Sequence, residues 1–249
     1  MTLGVPILFL EMKGIRMSLL NGQIENKLIT SCICNGDIVF DVGANMGFWT
    51  EEALKRNPSA IHVFEPLESC CKVLKEKFSK NNNVFISQKA MSVVCETKSF
   101  FYYSKYPTLS SLYRRTEAEP IHKLGTPIEM PSIQTNTISN YCKENKIELI
   151  HYLKLDVEGS EFDVIKGSSD LLKKQNIHYI EFEYGGTYID SKTKLKDIYE
   201  YLCSFGYSIY RTKNNTLLNI MSWSDVYEDY EFSIYIACVP TLKQTLENL

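Results

Sequence analysis

The sequence lacks the features that would assign it to several specialised classes of protein. The apolar run from Val5 to Leu10 is interrupted by Pro6 and is much shorter than the roughly 20 residues that a bilayer-spanning helix needs. No basic segment precedes it, so it does not resemble a secretory signal peptide. The eight cysteines include no Cys-x-x-Cys pair, which argues against a zinc knuckle or a dithiol redox site. We therefore expect a protein without a membrane span, in the reducing environment of the cytoplasm.

An excess of charge of either sign is also lacking. The 27 basic and 30 acidic side chains give a net charge of −3, so the chain has no overall attraction to nucleic acid or to an anionic membrane. A nucleic-acid partner is not favoured, although the net charge of the whole chain would not reveal a local basic patch. The sequence shows neither a phosphate-binding loop nor a Ser-His-Asp arrangement. With 44% hydrophobic residues among 249, it favours a single α/β domain with one large core.

The most informative stretch runs from Asp37 to Thr50. Ile38 to Val42 is apolar apart from Asp41, a pattern typical of a buried parallel strand. Gly43 and Gly47 then bracket a tight turn, after which a helix is predicted. A strand, a glycine turn and a helix form a cradle for a nucleotide-like ligand, and the missing side chains let the backbone approach it. Asp41 lies at the tip of an apolar strand, where a carboxylate is costly unless it has a partner.

The spacing within this turn indicates which ligand it holds. A dinucleotide fingerprint needs G-x-G-x-x-G to seat a pyrophosphate, whereas the sequence here is D-x-G-x-N-x-G. The leading acid favours a cationic ligand without phosphate, such as S-adenosylmethionine, whose sulfonium and ammonium groups an aspartate can receive. Glu65 directly follows the next predicted strand, Ala60 to Phe64, and lies about 20 positions after the turn. An acidic residue at this position can accept hydrogen bonds from both ribose hydroxyls of a nucleoside. The alternative is a structural turn and a surface glutamate.

A second group of charged residues follows another predicted strand, Ile150 to Val157. Lys154, Asp156 and Glu158 alternate, so all three share one side if the strand stays regular through its end. The next strand, Ile177 to Tyr184, brings Glu181 and Glu183 to the corresponding exit. Because ligands bind at the carboxyl ends of the strands in open α/β sheets, we expect these acids at the rim of a ligand site.

Methyl transfer to a hydroxyl requires an aligned acceptor and removal of its proton. Our hypothesis is that Asp156 or Glu158 accepts this proton, that Lys154 lowers the pKa of the acceptor or orients the acid, and that Glu183 completes the rim. The alternative for Lys154 is an ion pair that only neutralises Asp156. After Gly159 breaks the strand, Ser160 is predicted to cap the helix that begins at Glu161. Two carboxylates, Asp156 and Glu183, without a clear third ligand do not predict a metal site.

Two further segments are predicted to approach the ligand. Gln88 and Ala90 follow the third predicted strand, Val84 to Ile86, and we expect them near the adenine ring of S-adenosylmethionine. A plain strand-to-loop exit explains them equally well. Lys98 to Tyr103 is predicted to be a strand of an inserted hairpin. Residues 104–131 show no clean periodicity and are predicted to form either a substrate-facing lid or a solvated variable loop. The polar residues of this segment are Ser110, Ser111, Arg114, Arg115, His122 and Lys123.

Three motifs together resemble the FkbM family of S-adenosylmethionine-dependent methyltransferases. They are Asp41-Val-Gly-Ala-Asn-Met-Gly47 with the preceding Gly36-Asp37, then Phe64-Glu65-Pro66, and then Lys154-Leu-Asp-Val-Glu-Gly-Ser-Glu161 followed by Val164-Ile-Lys-Gly167. The first two are common to many methyltransferases with this fold, and the third is much more specific to the family.

The resemblance, with about seven predicted strands alternating with helices, implies an α/β, Rossmann-like class I methyltransferase fold. Its sheet would be mostly parallel and seven-stranded, with a C-terminal antiparallel strand. Residues 1–36 would form a strand and helix segment that covers the cofactor site, and residues 37–249 the methyltransferase domain, with residues 104–131 as an inserted loop. The cofactor-binding residues are predicted to be Asp41, Gly43, Ala44, Asn45, Gly47, Glu65, Pro66, Gln88, Ala90 and Asp156. The catalytic residues are predicted to be Lys154, Asp156, Glu158 and Glu183.

The family likeness further implies O-methylation of a hydroxyl group on a small molecule, a sugar or a lipid-linked glycan. One alternative is a nucleic-acid ribose 2′-O-methyltransferase, which shares the fold. The other is a non-catalytic subunit that binds S-adenosylmethionine. Nothing in the sequence indicates an oligomeric state.

Overall fold

The computed structural model of the chain describes residues 23–104, 106–115, 126–213 and 215–249. The described strands, in chain order, are β1 (Ile38–Val42), β2 (Ala60–Phe64), β3 (Val84–Ser87), β4 (Ala90–Met91), β5 (Thr97–Tyr102), β6 (Ile128–Asn136), β7 (Ile150–Leu155), β8 (Ile177–Tyr184), β9 (Ser208–Lys213), β10 (Thr216–Asn219) and β11 (Ser233–Cys238). The main sheet has the order β10-β9-β11-β8-β7-β1-β2-β3, and a smaller sheet has the order β4-β6-β5.

Helices connect these strands and cover the main sheet. In chain order they are α1 (23–32), α2 (Phe48–Leu54), α3 (Glu68–Lys77), α4 (Ile138–Asn145), α5 (Glu161–Lys166), α6 (Ser169–Leu172), α7 (Thr187–Ser191), α8 (Leu195–Ser204) and α9 (Lys243–Glu247). The helix α4 is capped, because the Thr137 hydroxyl accepts a hydrogen bond from the Asn140 N–H. None of the helices in the described ranges is long and apolar enough to cross a bilayer.

The main sheet is the mostly parallel α/β sheet that the sequence predicts. The strands β3, β2, β1, β7 and β8 run parallel to one another, and β11 pairs antiparallel with both β8 and β9. The sheet has eight strands rather than seven, because Thr216–Asn219 forms an additional edge strand against β9. The predicted fold class is therefore confirmed, with this correction to the strand count.

Hydrophobic side chains of the central strands pack on both faces of the main sheet. Phe40 and Leu153 belong to one core cluster, and Val39 and Tyr152 belong to the other. The second cluster includes Leu28 of α1, so the helix preceding β1 is fixed against the sheet by burial of its apolar side. Both faces are covered, which explains why β1 and β7 read as near-continuous apolar runs.

The small sheet corrects the prediction for the inserted segment. The strand predicted over Lys98–Tyr103 is present as β5, but it pairs antiparallel with β6, which begins at Ile128, inside the predicted loop. The register shifts between Lys98 and Phe100, whose partners are Ile133 and Met130, so β6 carries a bulge where Pro131 occurs in the sequence. A proline in a short run argues against a strand, which is why β6 was not predicted.

The end of β7 also differs from the prediction. The strand stops at Leu155, and Glu158 and Gly159 follow with left-handed φ angles of 57° and 100° that turn the chain into α5. The alternation predicted for Lys154, Asp156 and Glu158 therefore fails at Glu158. A positive φ is uncommon for a residue other than glycine and often marks a functional turn.

Candidate functional site

A cavity of about 450 Å³ lies at the carboxyl ends of β1, β2 and β7. Its lining contains most of the residues that the sequence predicts for the site: Gly43, Ala44, Asn45, Glu65, Pro66, Ala90, Lys154, Asp156 and Glu158. Parallel strands bring their carboxyl ends to one edge of a sheet, so residues more than 100 positions apart in the sequence meet here.

The glycine turn is shaped by contacts within the protein. The N–H groups of Gly43 and Ala44 both donate to the Phe64 carbonyl, at 2.9 and 3.2 Å, and tie the turn to the end of β2. A Cβ on Gly43 would lie 1.8 Å from the Asp156 carbonyl oxygen, so only glycine allows the turn to pass the end of β7. Gly47 is not among the lining residues. A Cβ there would lie 2.6 Å from the Leu74 side chain, so Gly47 permits close packing of α3 rather than approach to a ligand.

Glu65 is fixed at the β2 side of the cavity. One carboxylate oxygen accepts the Asn45 N–H and the other accepts the Leu67 N–H, both at 2.9 Å. Burial raises the pKa of Glu65 to about 7, against the lowering effect of these two hydrogen bonds. Each oxygen keeps a lone pair for a further donor, so the anchored carboxylate can still accept hydroxyl groups of a ligand.

Lys154 is the buried cation on the β7 side. Its Nζ lies 3.4 Å from the Asp41 carboxylate and 3.1 Å from that of Asp156. The other oxygen of Asp41 accepts a hydrogen bond of 2.5 Å from the Thr50 hydroxyl. Asp41 therefore has the partners that its buried position requires. Burial alone would lower the pKa of Lys154, but the nearby carboxylates outweigh it and raise the pKa, so the amine is charged at neutral pH.

Two more carboxylates surround the same lysine, one predicted and one not. Glu183 is half-buried and is not among the lining residues, but its charge interacts with Lys154, Asp156 and Glu158. Burial and the charges of Asp156 and Glu158 raise the pKa of Glu183 well above its ordinary value. Glu25, from α1, lines the cavity and interacts electrostatically with Lys154. Sequence reasoning missed Glu25 because no local motif marks it; only the packing of α1 brings it to the site.

Glu158 is paired with the inserted segment. Its Oε2 lies 2.8 Å from Nη2 of Arg115, whose side chain is only 2% exposed. Burial and the charge of Asp156 raise the pKa of Glu158 to about 8, and Arg115 opposes them. The guanidinium of Arg115 is therefore buried on Glu158 and is not exposed on the surface of the inserted segment. Ser111 donates to the Glu158 carbonyl at 2.8 Å, while Ser110 lines the cavity.

The remaining polar residues of the predicted lid divide into two groups. Arg114 is exposed, and His122 and Lys123 lie outside the described residues. The described part of the segment includes a short 3₁₀ turn, Pro107–Leu109, of which Pro107 lines the cavity. The insertion therefore forms part of the cavity wall. That it acts as a lid stays a prediction.

Ser160 does not cap α5 as predicted. No side-chain hydrogen bond forms at this cap; instead the Glu161 carboxylate accepts the N–H groups of Val157 and Gly159, at 3.1 and 3.0 Å. Ser160 is buried, lines the cavity, and its hydroxyl has no hydrogen-bond partner among the described residues. A buried hydroxyl without a partner is rare unless a ligand or water satisfies it.

Of the two residues predicted to lie near the adenine ring, only Ala90 lines the cavity. Ala90 is buried in the lining, whereas Gln88 is exposed and outside it, because β3 ends at Ser87 and Gln88 belongs to the two-residue connection to β4. Within the described ranges, no cluster of three or more His, Cys, Asp or Glu side chains has a geometry that would hold a metal ion.

Known proteins share this sequence pattern and this fold. The family model described as the methyltransferase FkbM domain matches residues 41–209. The 2-O-methyltransferase NoeI of Sinorhizobium fredii is 22% identical over 200 residues, covering 78% of this chain and 82% of that protein. Methyltransferase 1 of Beauveria bassiana is 25% identical over 145 residues, covering 53% and 58% of the two chains.

A solved structure agrees with the fold. The crystal structure of methyltransferase FkbM from Methylobacillus flagellatus KT matches with a TM-score of 0.50 at 13% identity, covering 81% of this chain and 43% of that one. The fold is accordingly that of a Rossmann-like class I methyltransferase. The matched family region contains the glycine turn, Glu65 and Lys154, but it begins after α1.

Proposed function

This chain belongs to the FkbM methyltransferase family, and on that premise we propose that it transfers a methyl group from S-adenosylmethionine to a hydroxyl group of a small molecule, sugar or glycan. Membership supports the transfer of a methyl group. The choice of oxygen as acceptor is supported by the relative from S. fredii, whose name is that of a 2-O-methyltransferase.

The observation that carries the proposal is the imbalance of charge at the β7 side of the cavity. Four carboxyl groups, those of Glu25, Asp41, Asp156 and Glu183, interact with the single ammonium group of Lys154. Such a cluster is stabilised by a cationic ligand and disfavours a phosphate-bearing one. S-adenosylmethionine carries two positive groups and no phosphate. The anchored carboxylate of Glu65 lies on the side of β2, where it suits ribose hydroxyls.

The cavity residues also suit the chemistry. When bound, the cofactor supplies a methyl group on a sulfonium centre, and the protein must align an acceptor oxygen with it. Alignment accounts for the larger share of rate enhancement, roughly 7–11 kcal/mol, while a general base supplies about 10²–10⁴-fold. The partner-free hydroxyl of Ser160 is available to orient a ligand in this cavity.

Among the acids, Asp156 is the better placed to accept the proton of the acceptor hydroxyl. Its side chain is 33% exposed, lines the cavity, and is held by Lys154 at 3.1 Å. The Oε2 of Glu158 is paired with Arg115, and Glu183 is not among the residues that line the cavity, so both are less accessible to an acceptor hydroxyl than Asp156.

The proposal is tested by transfer of tritium from S-adenosyl-[methyl-³H]methionine to a panel of glycans, lipids and RNA. We expect label in a hydroxyl-bearing small molecule or glycan, and its loss with Asp156→Asn. Label in RNA alone would make the protein a nucleic-acid ribose 2′-O-methyltransferase. Cofactor binding without transfer to any acceptor in the panel would favour the non-catalytic subunit.

A further inference from the structure

Glu25 reaches the cavity from outside the region that the family model matches. It lies on α1, whose residues Ile24, Leu28 and Ile29 are buried in the core cluster against the main sheet. Burial of these side chains fixes the rotation of the helix about its axis. Glu25 and Asn26 therefore line the cavity as a consequence of core packing.

The carboxylate of Glu25 lacks a cation of its own. It has no hydrogen bond or ion pair within the described ranges, and the positive charge that acts on it, that of Lys154, is shared with Asp41 and Asp156. Burial and the charges of Asp156 and Asp41 raise the pKa of Glu25 to about 7, with Lys154 opposing. A second cation beside Glu25 would favour its ionised form.

The order of the strands indicates which part of a ligand lies here. Glu65 follows β2, whereas Lys154 is on β7, and β1 separates the two strands. If Glu65 accepts the ribose hydroxyls, as the proposed function requires, the amino-acid portion of the cofactor extends across β1 toward Lys154. Among the carboxylates that line the cavity there, Glu25 is the one without a hydrogen-bond or ion-pair partner in the described part of the chain.

We propose, resting on the proposed function, that Glu25 binds the α-ammonium group of the cofactor and makes binding selective for ligands that carry this group. An ammonium–carboxylate contact in a partly buried site is a charge-assisted hydrogen bond, stronger than a neutral one. α1 is thus a part of the cofactor site and supplies one of its specificity-determining residues.

Calorimetry with two ligands tests this role without an acceptor substrate. S-adenosylhomocysteine carries the α-ammonium group, and methylthioadenosine lacks the whole amino-acid portion. We expect Glu25→Gln to weaken S-adenosylhomocysteine binding about tenfold or more, the effect of one charge-assisted hydrogen bond, and to leave methylthioadenosine binding within about twofold. The control is Glu68→Gln, which alters an exposed carboxylate outside the cavity lining, one already paired with Lys72 at 2.8 Å, and should leave both affinities unchanged.

The ratio of the two affinities separates recognition from stability. Equal weakening of both ligands by Glu25→Gln would indicate a structural role and overturn the inference, as would an unchanged affinity for S-adenosylhomocysteine. Glu25→Lys, which reverses the charge, should abolish the preference for S-adenosylhomocysteine, and a retained preference would also refute the inference. If the wild-type protein binds neither ligand, the proposed function itself fails.

Discussion

Replacing Lys154 with methionine should destabilise the protein strongly, because it leaves Asp41 buried without its counter-charge. Asp41 is fully buried, and the Lys154 Nζ lies 3.4 Å from it. At an effective dielectric constant of about 20, this separation corresponds to an attraction of about 5 kcal/mol. Asp156 is partly solvated and loses less. Removing one partner of a buried ion pair usually costs about 3–5 kcal/mol, and we expect Lys154→Met to fall in that range.

Urea denaturation of four proteins measures this effect: the wild type, Lys154→Met, Asp41→Asn and the double variant. We expect the double variant to be at least about 1 kcal/mol more stable than the sum of the single changes implies, because it removes both charges together. Lys72→Met is the matched control, since its pair with Glu68 is exposed, and it should resemble the wild type. Additive single changes, or a wild-type free energy of unfolding for Lys154→Met, would refute the electrostatic account of this cluster.

Three further predictions concern the same region. Asp156→Asn should lower the turnover number by about 10²–10⁴-fold with little change in S-adenosylhomocysteine affinity; equal loss of both would make Asp156 a cofactor ligand instead. Gly43→Ala should destabilise the protein more than Gly36→Ala. Both glycines have a positive φ, at which a side chain costs about 1–2 kcal/mol, but only at Gly43 would the new Cβ also clash with backbone atoms. Equal losses of unfolding free energy in urea would contradict this. Burial raises the pKa of Glu181 from 4.5 to about 8, so the folded state holds a proton that the unfolded state releases, and stability falls as pH rises through that interval. Glu181→Gln should flatten this slope in denaturation curves, and an unchanged slope would assign it to other groups.

The sequence predicts the glycine turn and the ends of β1 and β2 well, since these features depend on local pattern. Apolar runs and glycines place β1 and β2 correctly, and the order of strands in a parallel sheet then brings Asp41 and Glu65 to one edge. Asp41 could be recognised as needing a partner because a carboxylate within an apolar strand is unfavourable.

The parts that failed depend on contacts between distant residues. Glu158 leaves the expected face because its backbone adopts a left-handed conformation, and its partner Arg115 comes from the inserted segment. Ser160 makes no capping hydrogen bond, and the Glu161 carboxylate instead accepts the N–H groups of Val157 and Gly159 in the preceding turn. Glu25 reaches the site through the packing of a helix. Spacing along the chain encodes none of these outcomes.

The attachment of the insertion to the β7–α5 turn has a consequence for how the wall of the cavity can be exchanged. Ser111 and Arg115 hold both the backbone and the side chain of Glu158, and Tyr113 donates to Asp163 on α5 at 2.7 Å. Grafting a foreign insertion without these three tethers would disturb the acidic turn together with the cavity wall. A graft that retains them would exchange the wall of the cavity alone and leave the turn at Glu158 in place.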